Sequence, residues 1–139
     1  MIMIKVKKTF QPLTSHDVCE IYRLLHREGI VLFPLTTDGE NKINSTISNI
    51  TGSSFGVEHY PSIEEKLVAY FYFIINNHAF TDGNKRTATL VFLVLCQIND
   101  MQSRLDRAFN LDALAVYLEQ EKDVDHHELI STVAKALFR

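Results

Sequence analysis

The segment His78–Arg86 carries the densest set of reactive side chains in this 139-residue chain. It contains a histidine, the carboxylate of Asp82, a glycine–asparagine pair, and two adjacent cations, Lys85 and Arg86. Histidine suits proton transfer near neutral pH, a carboxylate oxygen suits Mg²⁺, and cationic donors bind phosphate oxygens. Glycine followed by asparagine can form a tight turn that opens a helix, whose free N–H groups and dipole attract anions. The segment therefore indicates phosphoryl or nucleotidyl transfer.

Two apolar segments flank these residues and must position them. Ser62–Glu65 forms a capping-box pattern that predicts a helix to about Asn76, apolar nearly all round and therefore central in the fold. A second central helix is predicted over Asn84–Asn99. The reactive residues then lie in a loop between two buried helices, and the Phe and Tyr side chains of both helices are expected in or near the core.

The rest of the chain predicts an all-α bundle of about six helices, with a small β element near residues 30–37, in a single domain over residues 1–139. The irregular segment Ile30–Thr37 is apolar and β-branched but contains Pro34, which an edge strand tolerates. The other predicted elements are a strand at Ile2–Val6, a helix from the capping box Thr14–Asp17 to Glu28, a turn at Asp38–Gly39, a weaker helix at Asn41–Ile50, a loop at Thr51–His59, a helix from Asn110 as its cap to Glu121, and a last helix capped by Asp125.

Composition narrows the class of protein. The net charge of −3, with 46% hydrophobic and 22% charged residues, is typical of a soluble globular domain. It does not indicate direct nucleic-acid binding through a broad basic surface. No apolar run reaches membrane-spanning length and the first residues lack the order of a signal peptide, so we expect no membrane contact and a cytoplasmic location. Cys19 and Cys96 lie in apolar helical patterns and are expected to be buried free thiols.

Residues His78–Thr89 resemble the signature of the Fic/Doc (Fido) superfamily. That signature reads histidine, any residue, phenylalanine, any residue, aspartate or glutamate, glycine or alanine, asparagine, glycine or lysine, and arginine, and every constrained position matches. The predicted order of elements is also similar to that of the short Doc-type (death-on-curing) proteins. The resemblance therefore extends over nearly the whole chain and implies their helical fold.

Within the superfamily the motif is closest to the Doc branch. AMP-transferring Fic enzymes usually have glycine at the position of Lys85 and a second arginine at that of Thr89, whereas Doc-like proteins share the run Lys85–Ala88. Gly83 departs from the Doc pattern, which has alanine there. Tyr60–Lys66 together with the motif is also similar to the C-terminal region of RhuM-type proteins, whose chemistry is poorly defined.

The resemblance implies a role for each motif residue. His78 is expected to act as the general base for a target hydroxyl, and Asp82 to bind Mg²⁺ whose shell is completed by the phosphates of ATP and by water. The backbone at Gly83 and Asn84 is expected to contact phosphate. Arg86 is expected to bind phosphate with its planar fork, and Lys85 either to join it or to point to solvent.

Three further groups of residues carry structural or docking predictions. Phe80 is expected to anchor the motif loop in the core. The pair His126–His127 is expected to lie on a solvated helix face, since adjacent residues diverge on a helix. A flap formed by five residues is expected either to align a target peptide by strand addition or to be a buried structural strand: Val31, Leu32, Phe33, Pro34 and Leu35.

The leading hypothesis for function is a Doc-type transferase that uses ATP and Mg²⁺ to phosphorylate a Ser or Thr hydroxyl on a cellular protein. For the Doc family that target is a translation factor, so the chain would be the toxin of a toxin–antitoxin pair. The chain has no obvious inhibitory segment of its own, so an antitoxin is expected to act in trans. The alternatives are an AMP-transferring enzyme and a catalytically idle module that binds a nucleotide or a partner.

Overall fold

The computed structural model describes residues 8–105, 108–121 and 123–138, with the side chains of residues 108 and 109 left aside. The described chain forms six helices and one short two-stranded antiparallel sheet, so the predicted all-α class is confirmed. The strand expected at Ile2–Val6 lies outside the described residues. The helices are α1 Ser15–Arg27, α2 Thr37–Thr51, α3 Ile63–Asn76, α4 Asn84–Ile98, α5 Ala108–Gln120 and α6 His126–Leu137; the strands are β1 Ser53–Ser54 and β2 Val57–Glu58.

Helix α3 is the centre of the bundle. It packs against α2, α4, α5 and α6, while α1 packs against α2 and α4. Its continuous burial explains this position, because every residue from Lys66 to Ile75 is buried except for the half-buried Phe73. A helix that is apolar all round must be covered on every side. The predicted central placement of α3 and α4 is confirmed.

Lys66 is the one charged residue in that run, and its burial is compensated locally. Its ammonium donates to a Glu58 carboxylate oxygen at 3.0 Å and to the carbonyl of Tyr60, and it lies over the ring of Phe10. A buried cation needs such partners to offset its lost hydration. The contact fastens the end of the β1–β2 hairpin to the central helix.

Helices α1, α3, α4 and α6 begin at or next to the residues that the sequence predicts. Thr14 and Asp17 form the reciprocal capping box of α1, Ser62 caps α3, and Asp125 caps α6 through its carboxylate. Helix α4 begins at Asn84 and ends one residue before the predicted Asn99. These ends are encoded in a few adjacent residues, which is why they can be predicted.

Other boundaries differ from the prediction. Helix α2 begins at Thr37 with Thr36 as its cap, so Asp38–Gly39 belongs to its first turn and is not a separate turn. Helix α5 begins at Ala108, which places Asn110 inside the helix and not at its cap. The β pair occupies residues 53–58, where we expected a loop, with Ser53 opposite Glu58 and Ser54 opposite Val57.

The predicted position of the β element, near residues 30–37, is therefore wrong. Residues 30–36 form an irregular segment that connects α1 to α2. Several of its polar backbone groups have partners outside any sheet: the N–H groups of Ile30 and Val31 donate to the carbonyl of Leu25, and the carbonyls of Ile30 and Phe33 accept from side chains. Pro34 also lacks the N–H group that a strand ladder would need at its position.

The core predictions from the sequence agree with the structure. Phe71, Phe92, Tyr70 and Tyr72 are buried and Phe73 is partly buried against them. Both cysteines are free and buried. Burial raises the pKa of the Cys96 thiol to about 12, so it has little of the thiolate character that reactivity requires.

Among the described residues no helix is both long enough and apolar enough to cross a membrane.

Candidate active site

The motif forms the connection between the two central helices and the first turn of α4. Gly83 is the residue immediately before α4 and adopts a left-handed conformation with φ of 81°. A Cβ atom at this position would overlap Cγ1 of Val31, which is buried. Both the backbone angle and the space therefore require glycine here.

The start of α4 differs from that of the helices α1, α2, α3 and α6. Each of those begins with a side-chain cap and has an acidic residue in its first turn. Helix α4 has neither, and carries Lys85 and Arg86 in its first turn instead. Cations at this end oppose the helix dipole, and the first N–H groups lack a side-chain acceptor. An anion bound here would relieve both deficits.

A cleft of about 500 Å³ opens at this helix end. Motif residues from Thr81 to Arg86 form one side of it, the segment Ile30–Leu32 forms another, and Glu119 of α5 completes it. The fold thus gathers five of the predicted site residues at one cleft: Asp82, Gly83, Asn84, Lys85 and Arg86.

Two of these residues hold other parts of the cleft in place. The Asn84 side chain donates to the carbonyl of Phe80 at 2.9 Å and accepts from its N–H at 3.2 Å, so its amide closes the motif loop. Arg86 donates to the carbonyl of Ile30 at 2.9 Å and remains exposed. The guanidinium therefore links the segment Ile30–Leu32 to the start of α4. Its remaining N–H donors are available to an anion.

Lys85 does not simply point to solvent. Its ammonium lies 3.2 Å from both carboxylate oxygens of Glu119, and both side chains are about 40% exposed. The sequence did not reveal this partner, because the two residues are 34 positions apart and a single glutamate on α5 has no distinguishing pattern. The ion pair places a second carboxylate in the cleft beside the exposed Asp82.

Asp82 is suitable as a magnesium ligand on chemical grounds. It is an exposed carboxylate within the cleft, and the described residues contain no group of three or more His, Cys, Asp or Glu side chains arranged around a metal ion. Mg²⁺ often takes one or two protein carboxylates and completes its octahedral shell with phosphate oxygens and water. A single carboxylate next to a helix end that could bind phosphate would fit that pattern.

Phe80 lies where an anchor is expected. Its buried ring stacks on Tyr22 with 4.0 Å between centroids and 12° between planes. Tyr22 in turn donates its hydroxyl to the carbonyl of Phe33 at 2.7 Å. Burial raises the pKa of the Tyr22 hydroxyl, and the charge of Asp82 raises it further. Tyr22, which the sequence did not single out, thus joins the motif loop to the segment at residues 30–36.

His78 opens onto a different cleft from the one at the start of α4. It is exposed and left-handed, with φ of 49°. It lines a cleft of about 310 Å³ together with side chains of α3, α6 and the α5–α6 connection: Tyr72, Phe73, Asn76, Asn77, Glu121 and His126. The buried residues Ala79 and Phe80 separate it in sequence from Asp82. The motif loop therefore has reactive groups on two sides.

The flap residues do not form a strand, and they differ in exposure. Val31 is buried beneath Gly83, Leu35 packs partly against the core, and Pro34 is exposed. Leu32 and Phe33 are 75% and 48% exposed. The alternative of a buried structural strand is wrong, because the segment is irregular. Docking of a target at this segment stays a prediction. Its exposed apolar side chains still border the cleft through Leu32.

The histidines of α6 lie at the surface. His127 stacks on Tyr60, and His126 packs edge-on against Tyr72. Both are exposed, as predicted for a solvated face. His126 nevertheless lines the cleft that contains His78.

Comparison with known proteins gives the family. The sequence model described as the Fic/DOC family matches residues 12–96, which is more than half of the chain. A curated relative, Toxin Doc of Mycolicibacterium smegmatis, is 31% identical over 70 residues. That alignment covers 50% of this chain and 52% of the relative, so the chain spans about half the length of the curated relative it matches. No solved structure matches. The family match contains the whole motif and the helices that hold it, and the chain belongs to the Fic/DOC family.

Proposed function

We propose that this protein is a Doc-type transferase that moves the γ-phosphate of ATP to a Ser or Thr hydroxyl of a cellular protein. The observation that carries the proposal is the start of α4, where uncapped N–H groups, Lys85 and Arg86 face one cleft with no acidic residue in the helical turn. Such a helix end favours a multiply charged anion. The relationship to a protein named Toxin Doc supports a toxin role.

The choice of phosphate over AMP rests on Thr89. AMP-transferring relatives usually have a second arginine at this position, whereas Thr89 is buried and donates its hydroxyl to the carbonyl of Lys85 at 2.9 Å. It offers neither a charge nor an accessible donor to a triphosphate. The cleft therefore has cationic donors from Lys85 and Arg86 alone among the motif residues. We infer that these two hold the terminal phosphates, near the reacting centre.

The two clefts suggest separate entrances for the two substrates. ATP would enter at the start of α4, with Asp82 as the protein ligand of Mg²⁺, which would neutralise phosphate charge when bound. The target hydroxyl would approach from the cleft that His78 lines. His78 would take the hydroxyl proton as the oxygen attacks the γ-phosphorus, and ADP would leave with the bridging oxygen. Transfer of this proton by a positioned base contributes about 10²- to 10⁴-fold to a rate.

The exposed side chains of Leu32 and Phe33 provide an apolar contact for the target beside the cleft. In this proposal docking occurs through these side chains, since the segment is irregular and forms no strand that a target peptide could extend. A translation factor is the target class that the family suggests, and an antitoxin supplied in trans would restrain the enzyme.

The test uses ATP labelled separately on its α- and γ-phosphates. Each would be incubated with Mg²⁺, purified protein and a cell lysate, and labelled proteins would be separated and identified. We expect label from the γ position, lost in His78→Ala while ATP binding by calorimetry persists. Label passing only from the α position would replace the phosphotransferase by the AMP-transferring enzyme. Binding of ATP with no label from either position would favour the idle module.

A further inference from the structure

A second pair of reactive side chains lies on the β1–β2 hairpin. Oγ of Ser54 is 2.8 Å from Nε2 of His59, and Nδ1 of the same ring is 2.7 Å from the carbonyl oxygen of Asn49. A carbonyl can only accept, so Nδ1 carries a proton. In the neutral ring Nε2 is then unprotonated and accepts the hydroxyl proton of Ser54. The ring is therefore held in the tautomer in which it can act as a base toward this serine.

The position of His59 is fixed from the end of α2 and not from the hairpin alone. Its backbone N–H donates to the carbonyl of Gly52 at 3.0 Å, and its ring is tied to Asn49 in the last turn of α2. The residue is only partly exposed. A serine, a histidine and a third group that orients the histidine form the arrangement that activates hydroxyl nucleophiles.

The serine itself is accessible. Ser54 is exposed and pairs with Val57 across a two-residue turn formed by Phe55 and Gly56, both with positive φ. The Phe55 side chain is fully exposed and that of Val57 is 66% exposed, so apolar surface flanks the hydroxyl. None of these residues lines the cleft at the start of α4 or the cleft that contains His78.

We propose that Ser54 and His59 form a nucleophilic pair, separate from the motif, that takes up the acyl group of an activated ester. The Ser54 oxygen attacks the ester carbonyl carbon and its proton passes to Nε2 of His59. As the new C–O bond forms, the ester's alcohol or phenol oxygen leaves and receives that proton. The products are an acylated Ser54 and the free alcohol or phenol.

An acyl donor fits this surface better than an anionic one. Phe55 and Val57 offer contacts to an apolar acyl chain beside the hydroxyl. The neighbouring charged group on the hairpin is the carboxylate of Glu58, which is half exposed despite its bond to Lys66. A carboxylate repels an anionic phosphate or sulfate ester and has no such effect on a neutral carboxylic ester.

The probes are the p-nitrophenyl esters of acetic and hexanoic acid. Purified protein would be acylated briefly, and the extent of acylation at each serine would be read from the mass of hairpin peptides. Ser53 is the internal reference, because it is exposed on the same strand and its side chain has no histidine partner among the described residues. We expect Ser54 to react about 100-fold faster than Ser53, at the low end of general-base effects. The hexanoyl ester should react faster than the acetyl ester.

Three variants distinguish activation of Ser54 by His59 from simple solvent exposure of the serine. His59→Gln should lower the Ser54 rate toward that of Ser53, and Ser54→Ala should remove the fast acylation. Ser53→Ala is the matched control and should leave the Ser54 rate unchanged. If His59→Gln opened the hairpin, both serines would become more reactive. The ratio of the Ser54 rate to the Ser53 rate would still fall, because the base beside Ser54 would be lost. A Ser54-to-Ser53 ratio near one in the wild-type protein, or a ratio that His59→Gln leaves unchanged, would overturn the proposal.

Discussion

Replacing Gly83 by alanine tests how closely Gly83 and Val31 pack at the cleft where α4 begins. The substitution meets two obstacles: a left-handed backbone with φ of 81°, and a new methyl group that would overlap Cγ1 of Val31. The left-handed conformation costs about 1–2 kcal/mol for a residue with a Cβ atom. Forcing a methyl group into a filled core contact costs about 1–3 kcal/mol. We expect Gly83→Ala to lower the free energy of unfolding by about 2–5 kcal/mol.

Two further variants separate these contributions. Gly29 is also left-handed, with φ of 73°, but a Cβ there meets nothing within 4 Å. Gly29→Ala should therefore cost only the backbone part, about 1–2 kcal/mol. Val31→Ala alone should cost about 1.5 kcal/mol for two buried methyl groups, and in combination with Gly83→Ala it removes the overlap. The double variant should then be more stable than additivity predicts by about 1–3 kcal/mol.

The assay is equilibrium unfolding in urea, followed by circular dichroism, with the slope of the transition used to check two-state behaviour. A cost of Gly83→Ala no greater than that of Gly29→Ala would contradict the overlap with Val31, as would effects of Gly83→Ala and Val31→Ala that add within about 0.5 kcal/mol. The result also bears on the motif. The Doc pattern has alanine at this position, and Val31 explains why this chain has glycine: its side chain occupies the space that the methyl group would need.

Three other perturbations have defined outcomes. Glu119→Gln releases Lys85 from its ion pair. Because exposed ion pairs contribute little free energy, ATP–Mg²⁺ should bind only about 2- to 5-fold more tightly, as measured by calorimetry. Weaker binding would mean that the carboxylate helps to bind the ligand. Asn84→Ala breaks both bonds to Phe80 and should cost about 1–3 kcal/mol in urea unfolding, with an unchanged midpoint contradicting the role of its amide. The pKa of Cys96 is raised from 9.0 to about 12, so its contribution to stability is complete below pH 9 and is lost as the pH rises toward 12. Cys96→Ala should therefore show a smaller loss of unfolding free energy between pH 8 and 11 than the wild-type protein, and identical losses would refute this.

Helix identity could be predicted from the sequence wherever the signal is local. The capping residues of α1, α3 and α6 are contiguous with the helices they begin, and the uninterrupted apolar run of α3 indicates burial without knowledge of its neighbours. The motif's cleft residues are also consecutive, so their proximity follows from the helix they begin. These features depend on few residues and short distances along the chain.

The start of α2 cannot be predicted from the sequence, because Gly39 in its first turn is required by a contact that is distant along the chain. A Cβ on Gly39 would lie 2.5 Å from the carbonyl oxygen of Ala79, so the residue is small to let the motif loop pack against α2. In the sequence, Asp38–Gly39 has the composition of a turn. The true cap, Thr36, accepts from the Gly39 N–H at 2.9 Å. The glycine required by tertiary packing thus gives the sequence the composition of a local turn.

The irregular form of residues 30–36 and the hairpin at residues 53–58 also cannot be predicted from local sequence. The β-branched residues at 30–37 favour a strand. In the structure the carbonyls of Ile30 and Phe33 instead accept hydrogen bonds from the side chains of Arg86 and Tyr22, which lie 56 and 11 positions away. The hairpin turn Phe55–Gly56 lacks an asparagine or aspartate at its first position, and its strands are exposed on both faces. No alternation of apolar and polar residues therefore marks it.

The motif loop also explains how two clefts could serve one reaction. Between His78 and Asp82 the chain is held from both sides: Ala79 packs against Gly39, and Phe80 is stacked on Tyr22 and bonded twice by Asn84. A segment so constrained keeps His78 at a fixed position relative to the start of α4, which is the positioning that the proposed transfer requires. Weakening these contacts should therefore reduce transfer more than nucleotide binding, since the N–H groups and cations of α4 belong to the helix and not to the loop.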